Sequence, residues 1–298
     1  MSTGVQNTII GANAGDALTT GSHNIAMGYG ALGTEDTGAR NVAIGKAALF
    51  MQNYDGSAYN VAIGYEAGTN VTTGTNNTIV GGLAGDALTS GLNNVAIGYL
   101  ALSSQQTNGQ NVAIGVGALQ NQNTSSHGNN TAVGLHAGLN VTTGIKNTIL
   151  GSTAGDALTE GENNIIIGFG AAASAVDVDN EITLGDSNIS AIRAQVTSIS
   201  SLSDKRDKKD IKDSVYGLEF LESLKPVTFE WDQRDGNRVG VKDVGFIAQD
   251  LQEVDDEYTR LVYESNPDKL EATYGRLIPM LVKAIQELSE EVKQLKNK

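Results

Sequence analysis

The phrase Asn-x-x-apolar-Gly fixes the period of the first part of this chain. It begins at Asn7, Asn24, Asn41, Asn60, Asn77, Asn94, Asn111, Asn130, Asn147 and Asn164, and Glu181 falls in phase as a variant without its asparagine. Successive starts lie 17 residues apart, except for two steps of 19. A longer period is superposed: Asn-Thr-Ile-x-Gly at Asn7, Asn77 and Asn147 recurs every 70 residues, each time followed by Ala-Gly-Asp-Ala-Leu-Thr. A short fixed period of this kind specifies stacked units that bury their apolar faces only against one another.

The contents of one cycle select the stacked unit. Runs such as Val42-Ala43-Ile44 are too short for a helix, rich in branched residues and closed by glycine, which predicts a short strand and a turn in each cycle. The fold class expected is mainly β, with a parallel β-solenoid of about 17-residue coils over residues 1–185. Alternation within the strand separates Val42 and Ile44 from Ala43. Burying the branched residues would leave rows of alanines facing outward, where a neighbouring copy could pack. The asparagines are expected to stack between coils as amide ladders. Eleven cycles at roughly 4.8 Å each would extend for about 50 Å.

Composition excludes several function classes. A net charge of -14 offers no basic surface to a nucleic-acid backbone, so no nucleic-acid partner is expected. Cysteine is absent, which removes disulfides and thiolate metal sites. No apolar run is long enough to span a bilayer, and Met1 to Asn7 lacks the basic and apolar regions of a secretory signal. Neither membrane insertion nor export is therefore expected.

Candidate chemistry within the repeats is sparse. Asp16, Asp86 and Asp156 recur four coils apart, outside any calcium-binding nonapeptide, and local backbone capping suits them best. His23, His127 and His136 have no metal-ligand spacing, so no metal and no cofactor is assigned. No catalytic carboxylate pair stands out.

From Asp186 to Leu202 the glycines cease, and Ile189, Ile192, Val196, Ile199 and Leu202 recur at three- and four-residue steps, as in a helical neck or an intertwined β-stalk. The spacing predicts a helix over Tyr216 to Leu224, stopped by Pro226, and then a strand from Val227 to Trp231. Asp235-Gly236-Asn237 reads as a turn, and Val244 to Asp250 leads into another short helix. Ile278, Leu281, Ile285, Leu288, Val292 and Leu295 form a heptad, predicting a coiled coil or a helix laid along the domain. Residues 203–298 thus read as a small α+β domain ending in a helix.

Two resemblances follow. The repeats resemble the head repeats of trimeric autotransporter adhesins, which implies a left-handed parallel β-roll. In the second half, four separated motifs stand in order. They are Ser203-Asp204-x-Arg206-x-Lys208, Leu224-Lys225-Pro226-Val227-x-Phe229-x-Trp231, Gly245-Phe246-Ile247-Ala248-Gln249-Asp250 and Tyr274-x-Arg276-Leu277-Ile278-Pro279. Together they resemble the intramolecular chaperone of phage tail fibres and tailspikes, the peptidase S74 family. The resemblance implies a domain that trimerises, guides folding of the fibre ahead of it and then releases itself by autoproteolysis. It also implies Ser203 as nucleophile, Lys208 as base and Leu202–Ser203 as the severed bond. A serine hydroxyl needs such a base, and a neutral lysine can provide it.

The function expected is a virion tail fibre or tailspike component, assembled as a homotrimer in the host cytoplasm, with a host surface receptor or glycan as candidate partner. The alternatives are a trimeric bacterial adhesin, an enzyme acting on host glycans, and a fibre that retains its chaperone uncleaved.

Overall fold

The computed structural model describes residues 3–195, 201, 203–234, 236 and 238–297. The chain divides into two compact units, Met1–Asp186 and Ser187–Lys298. The first is a parallel β-solenoid. Its eleven three-residue strands, from β1 (Thr8–Ile10) to β11 (Ile182–Leu184), each fall on one repeat phrase and pair in sequence order. Register is strict: in β3 (Val42–Ile44) and β4 (Val61–Ile63), Val42 lies opposite Val61 and Ile44 opposite Ile63. The 19-residue cycles keep this register by placing their two extra residues in loops.

The strand faces are the reverse of those expected from alternation. The alanines point inward: Ala26, Ala43, Ala62, Ala96, Ala113 and Ala132 are wholly buried, while their branched neighbours lie on the outer face, Ile63 being 38% exposed. Volume explains the inversion. The coil interior is filled from its other sides by Leu18, Leu32, Leu49, Leu88, Leu102, Leu119 and Leu158, so most strands have room inside only for a methyl group. Where the inner strand residue is larger, a glycine makes way. A Cβ at Gly68 would stand 2.8 Å from Ile79 Cδ1, and one at Gly138 would stand 2.9 Å from Ile149 Cδ1.

The asparagines do form a ladder, chiefly by pairing with main chain. Asn24 Oδ1 accepts the Asn41 N–H at 2.9 Å while its Nδ2 donates to the Gly38 carbonyl at 2.8 Å. Asn147 repeats both bonds, with the Asn164 N–H at 3.0 Å and the Gly161 carbonyl at 2.9 Å. Direct amide-to-amide bonds join Asn77 to Asn60, Asn94 to Asn77 and Asn164 to Asn147. Each asparagine thereby satisfies main-chain groups that the tight turns would otherwise bury unpaired. Glu181 continues the ladder: its N–H donates to Asn164 Oδ1, and its carboxylate accepts from the Ser174 N–H and hydroxyl. In the 19-residue coils Gln52 and Gln122 join in, accepting from Asn60 and Asn130 at 2.7 and 2.8 Å.

Of the recurrent aspartates, Asp86 has its Oδ1 buried without a hydrogen-bond partner among the described residues. Burial holds its carboxyl above the usual range.

Glu35 occupies the place that Gln105 holds 70 residues later. It is wholly buried and accepts the Gly38 N–H at 2.7 Å and the Tyr54 N–H at 3.2 Å. Burial raises its carboxyl pKa above the ordinary value, against those N–H groups, and neighbouring Asp36 adds to the rise. A raised folded-state pKa contributes stability that is complete below the unfolded carboxyl pKa and is lost as pH climbs through the folded value. Glu35→Gln is therefore expected to raise the melting temperature at pH 7, with the gain shrinking toward pH 4. Melting curves of both proteins across that range test it, and a gain independent of pH would contradict the assignment.

The second unit is described by itself. Helix α1 (Leu218–Ser223) packs on α3 (Leu277–Lys296), and β12 (Val227–Glu230) pairs antiparallel with β13 (Lys242–Gly245). Helix α2 (Ala248–Gln252) follows, and two short strands, β14 (Val262–Tyr263) and β15 (Glu271–Ala272), also pair antiparallel. Leu251, Leu261, Val262, Leu277 and Met280 form the core. Pro226 follows α1 closely, as a residue that cannot continue a helix should. Of the expected turn at Asp235-Gly236-Asn237, Gly236 has a positive φ of 78° and donates its N–H to the Gln233 carbonyl at 2.8 Å, while Asp235 and Asn237, like Val196, Ile199 and Leu202, lie outside the described residues.

Helix α3 has two apolar faces. Leu277, Met280 and Ala284 pack on the domain, while Ile278, Leu281, Ile285, Leu288, Val292 and Leu295 are all exposed in the single chain. Glu287 on this helix accepts the Leu218 N–H at 2.7 Å and caps α1, and that bond draws its carboxyl below the usual range.

Candidate self-processing site

Ser203 and Lys208 lie on either side of a single 3-10 turn, Lys205–Asp207. Asp204 starts it: its carboxylate accepts the Arg206 N–H at 2.8 Å and pairs with the Arg206 guanidinium at 2.6 Å. The guanidinium bond holds that carboxyl below its ordinary value. The Lys208 N–H closes the turn on the Lys205 carbonyl at 3.2 Å. A five-residue separation would span well over 10 Å if extended. Folded through this turn, it returns the Lys208 ammonium to its starting point. Lys208 Nζ donates to Ser203 Oγ at 2.5 Å and to the Ser203 carbonyl at 3.3 Å.

The clustered charges thus divide their work. Arg206 neutralises Asp204, while Lys208 faces a hydroxyl. Both Ser203 and Lys208 are exposed in the single chain. Leu202, on the other side of the expected cut, lies outside the described residues.

Other motif residues pack against one another within the same unit. The Tyr274 hydroxyl accepts the Phe246 N–H at 3.2 Å, and the two rings meet edge to face at 5.8 Å, joining the third motif to the fourth. Phe229 and Trp231 of the second motif pack edge to face at 5.1 Å, and Trp231 Nε1 donates to Asp243 at 3.1 Å. Sequence reasoning missed a further clamp. Tyr216 donates to Asp256 at 2.5 Å, a bond that brings the carboxyl down to about 2 and pushes the phenol up to about 12. Asp255 accepts the Leu261 and Val262 N–H groups and so shapes the following loop. The partners are far apart in sequence or unpatterned, so spacing gave no signal of them.

Residues 203–262 match the family model for the chaperone of endosialidase, peptidase S74. The match opens at Ser203 itself. No curated protein and no solved structure matches the chain. A chaperone-of-endosialidase domain therefore follows the β-solenoid, the arrangement of a fibre or tailspike type of protein with a C-terminal chaperone. Among the described residues, no helix is long and apolar enough to cross a membrane and no cluster of His, Asp or Glu could hold a metal ion.

Proposed function

We propose that this protein is a virion tail fibre or tailspike component whose chaperone domain drives trimerisation and folding of the solenoid and then cuts itself off before Ser203. The observation that carries the reading is the Lys208–Ser203 contact at 2.5 Å, placed where the matched domain begins.

The chemistry requires the polarity of that contact to reverse. As an ammonium, Lys208 donates to the hydroxyl; as a neutral amine it accepts the hydroxyl proton. Oγ then attacks the carbonyl carbon of residue 202, either in its own chain as an N-to-O acyl shift or in a neighbouring chain. The Oγ–C bond forms, the C–N bond to Ser203 breaks, and the released nitrogen takes the proton that Lys208 carried. Water hydrolyses the ester, freeing both termini. Assembly supplies the switch, because burial between copies favours the neutral amine at a site that a single chain leaves in water.

Copies meet along the outer face of the solenoid sheet. One row there reads Ile10, Met27, Ile44, Ile63, Val80, Ile97, Ile114, Val133, Leu150, Ile167 and Leu184, without a single charge in a chain of net charge -14. Such a stripe left in water is an association surface, and three copies close it around an axis. The exposed heptad of α3 is a second seam between copies.

Intact mass after expression tests the reading. The 31.1 kDa chain is expected to mature into two fragments divided between Leu202 and Ser203. A chain that stays whole under folding conditions would refute self-release.

A further inference from the structure

Eleven residues after its repeat asparagine, a coil usually sends an apolar side chain into the solenoid interior: Leu18, Val71, Leu88, Val141 and Leu158 are all buried. At two places 70 residues apart the position is polar instead, as Glu35 followed by Gln52 and as Gln105 followed by Gln122, all four wholly buried. Gln52 and Gln122 belong to the two 19-residue coils.

Those two coils also lose a hydrogen bond. In most coils the asparagine donates through Nδ2 to the main-chain carbonyl 14 residues on, as Asn24 does to Gly38 at 2.8 Å and Asn147 to Gly161 at 2.9 Å. In a 19-residue coil the longer loop carries that carbonyl away. Asn41 Nδ2 and Asn111 Nδ2 are buried and, among the described residues, without an acceptor, and so are Gln52 Nε2 and Gln122 Nε2.

Turning the amides over would not cure this, because their oxygens are already engaged. Asn111 Oδ1 accepts the Asn130 N–H at 3.1 Å and Gln122 Oε1 accepts from Asn130 Nδ2 at 2.8 Å, so one residue fixes both amides. Asn60 fixes Asn41 and Gln52 in the same way, at 3.2 and 2.7 Å. Gln105 Oε1, about 4.8 Å away at the same position of the preceding coil, is likewise buried without a donor among the described residues. A Cβ at Gly128 would fall 2.7 Å from Asn111 Nδ2, so glycine there keeps side-chain atoms off this amide.

We infer that each 19-residue coil encloses a structural water, held by Asn41 Nδ2 and Gln52 Nε2 in one and by Asn111 Nδ2 and Gln122 Nε2 in the other. The water stands in for the carbonyl that the longer loop displaces. Two N–H donors would also suit a halide, but only water can donate in return, and Gln105 Oε1 calls for a donor. At the other site the Glu35 carboxyl, one coil from Gln52, disfavours an anion. The arrangement lets the shaft put out a longer loop at two levels without leaving buried amides unpaired.

A crystal structure of the full chain, at a resolution that shows ordered water, tests the inference. Density is expected in both coils at about 2.7–3.2 Å from each pair of donors. Crystals grown in bromide distinguish the occupant: an anomalous peak at these donors would mean a halide and overturn the inference, as would an absence of ordered density there. In solution, oxygen-17 relaxation dispersion counts long-lived internal waters. Gln52→Leu combined with Gln122→Leu gives both coils the apolar residue of their shorter neighbours and is expected to lower the count by one water per site. Should the double variant not fold, Gln122→Leu alone is expected to lower it by one. An unchanged count in a folded variant would overturn the inference.

Discussion

Lys208→Arg is expected to leave the chain at its full 31.1 kDa, as are Lys208→Ala and Ser203→Ala. Arginine keeps the charge and much of the reach of lysine, but it does not give up its proton near neutral pH, so it cannot accept one from Ser203. Removing a positioned base commonly costs about 100- to 10,000-fold in rate, which for a single-turnover cut is full-length protein on any ordinary timescale. The three variants separate two explanations of failure. Lys208→Arg preserves the cationic character of the turn, so a folded, assembled and uncut Lys208→Arg points to proton transfer as the missing step. A Lys208→Arg chain that matures at the wild-type rate would remove Lys208 from the role of base.

The second large effect is on assembly. Ile97→Asp combined with Ile114→Asp puts two carboxylates side by side in the outer row of the sheet, without touching the buried alanines beside them. A charge trapped without a partner between copies costs several kcal/mol, enough to prevent association through this face. Light scattering is expected to move from the mass of three chains to that of one, while circular dichroism still reports β structure. If burial between copies prepares Lys208, as proposed, the same variant should also stay uncut. A double variant that remains a trimer would place the interface on another face.

The position of every solenoid strand was legible in the sequence, because asparagine and glycine at fixed phase mark where each turn begins and ends. Which side of the strand faced inward was not. Alternation distinguishes Ala43 from Val42 and Ile44, but only the leucines arriving from the other walls of the coil decide which set fits inside. Those leucines sit in loops without strand or helix periodicity. Their claim on the interior shows only when Leu49 and Gly68 are seen to share it, a Cβ at Gly68 falling 3.2 Å from Leu49 Cδ2. The proposed association surface is accordingly one of isoleucine and valine and not of alanine.

The chaperone unit shows the converse. Ser203 and Lys208 could be picked from a nine-residue stretch because a family motif marks them, and the heptad announced α3. Spacing alone did not announce that the five-residue separation would be folded back by a turn capped at Asp204. Nor could it reveal that Glu287, near the end of the chain, caps a helix 69 residues earlier. Contacts of that range leave no periodic trace.

The 70-residue superperiod has a consequence for how such a shaft can change length. Within it, the inner strand residue is isoleucine once and alanine three times, as in Ile79, Ala96, Ala113 and Ala132, so the order of interiors repeats only every four coils. Excising or duplicating one coil would put this four-coil order out of phase. Excising or duplicating four, from Asn77 to Lys146 for example, returns Asn147 to the seat of Asn77 with every interior matched, a step of about 19 Å. The sequence therefore carries a unit of measure, and lineages that reach different distances would be expected to differ by whole multiples of it.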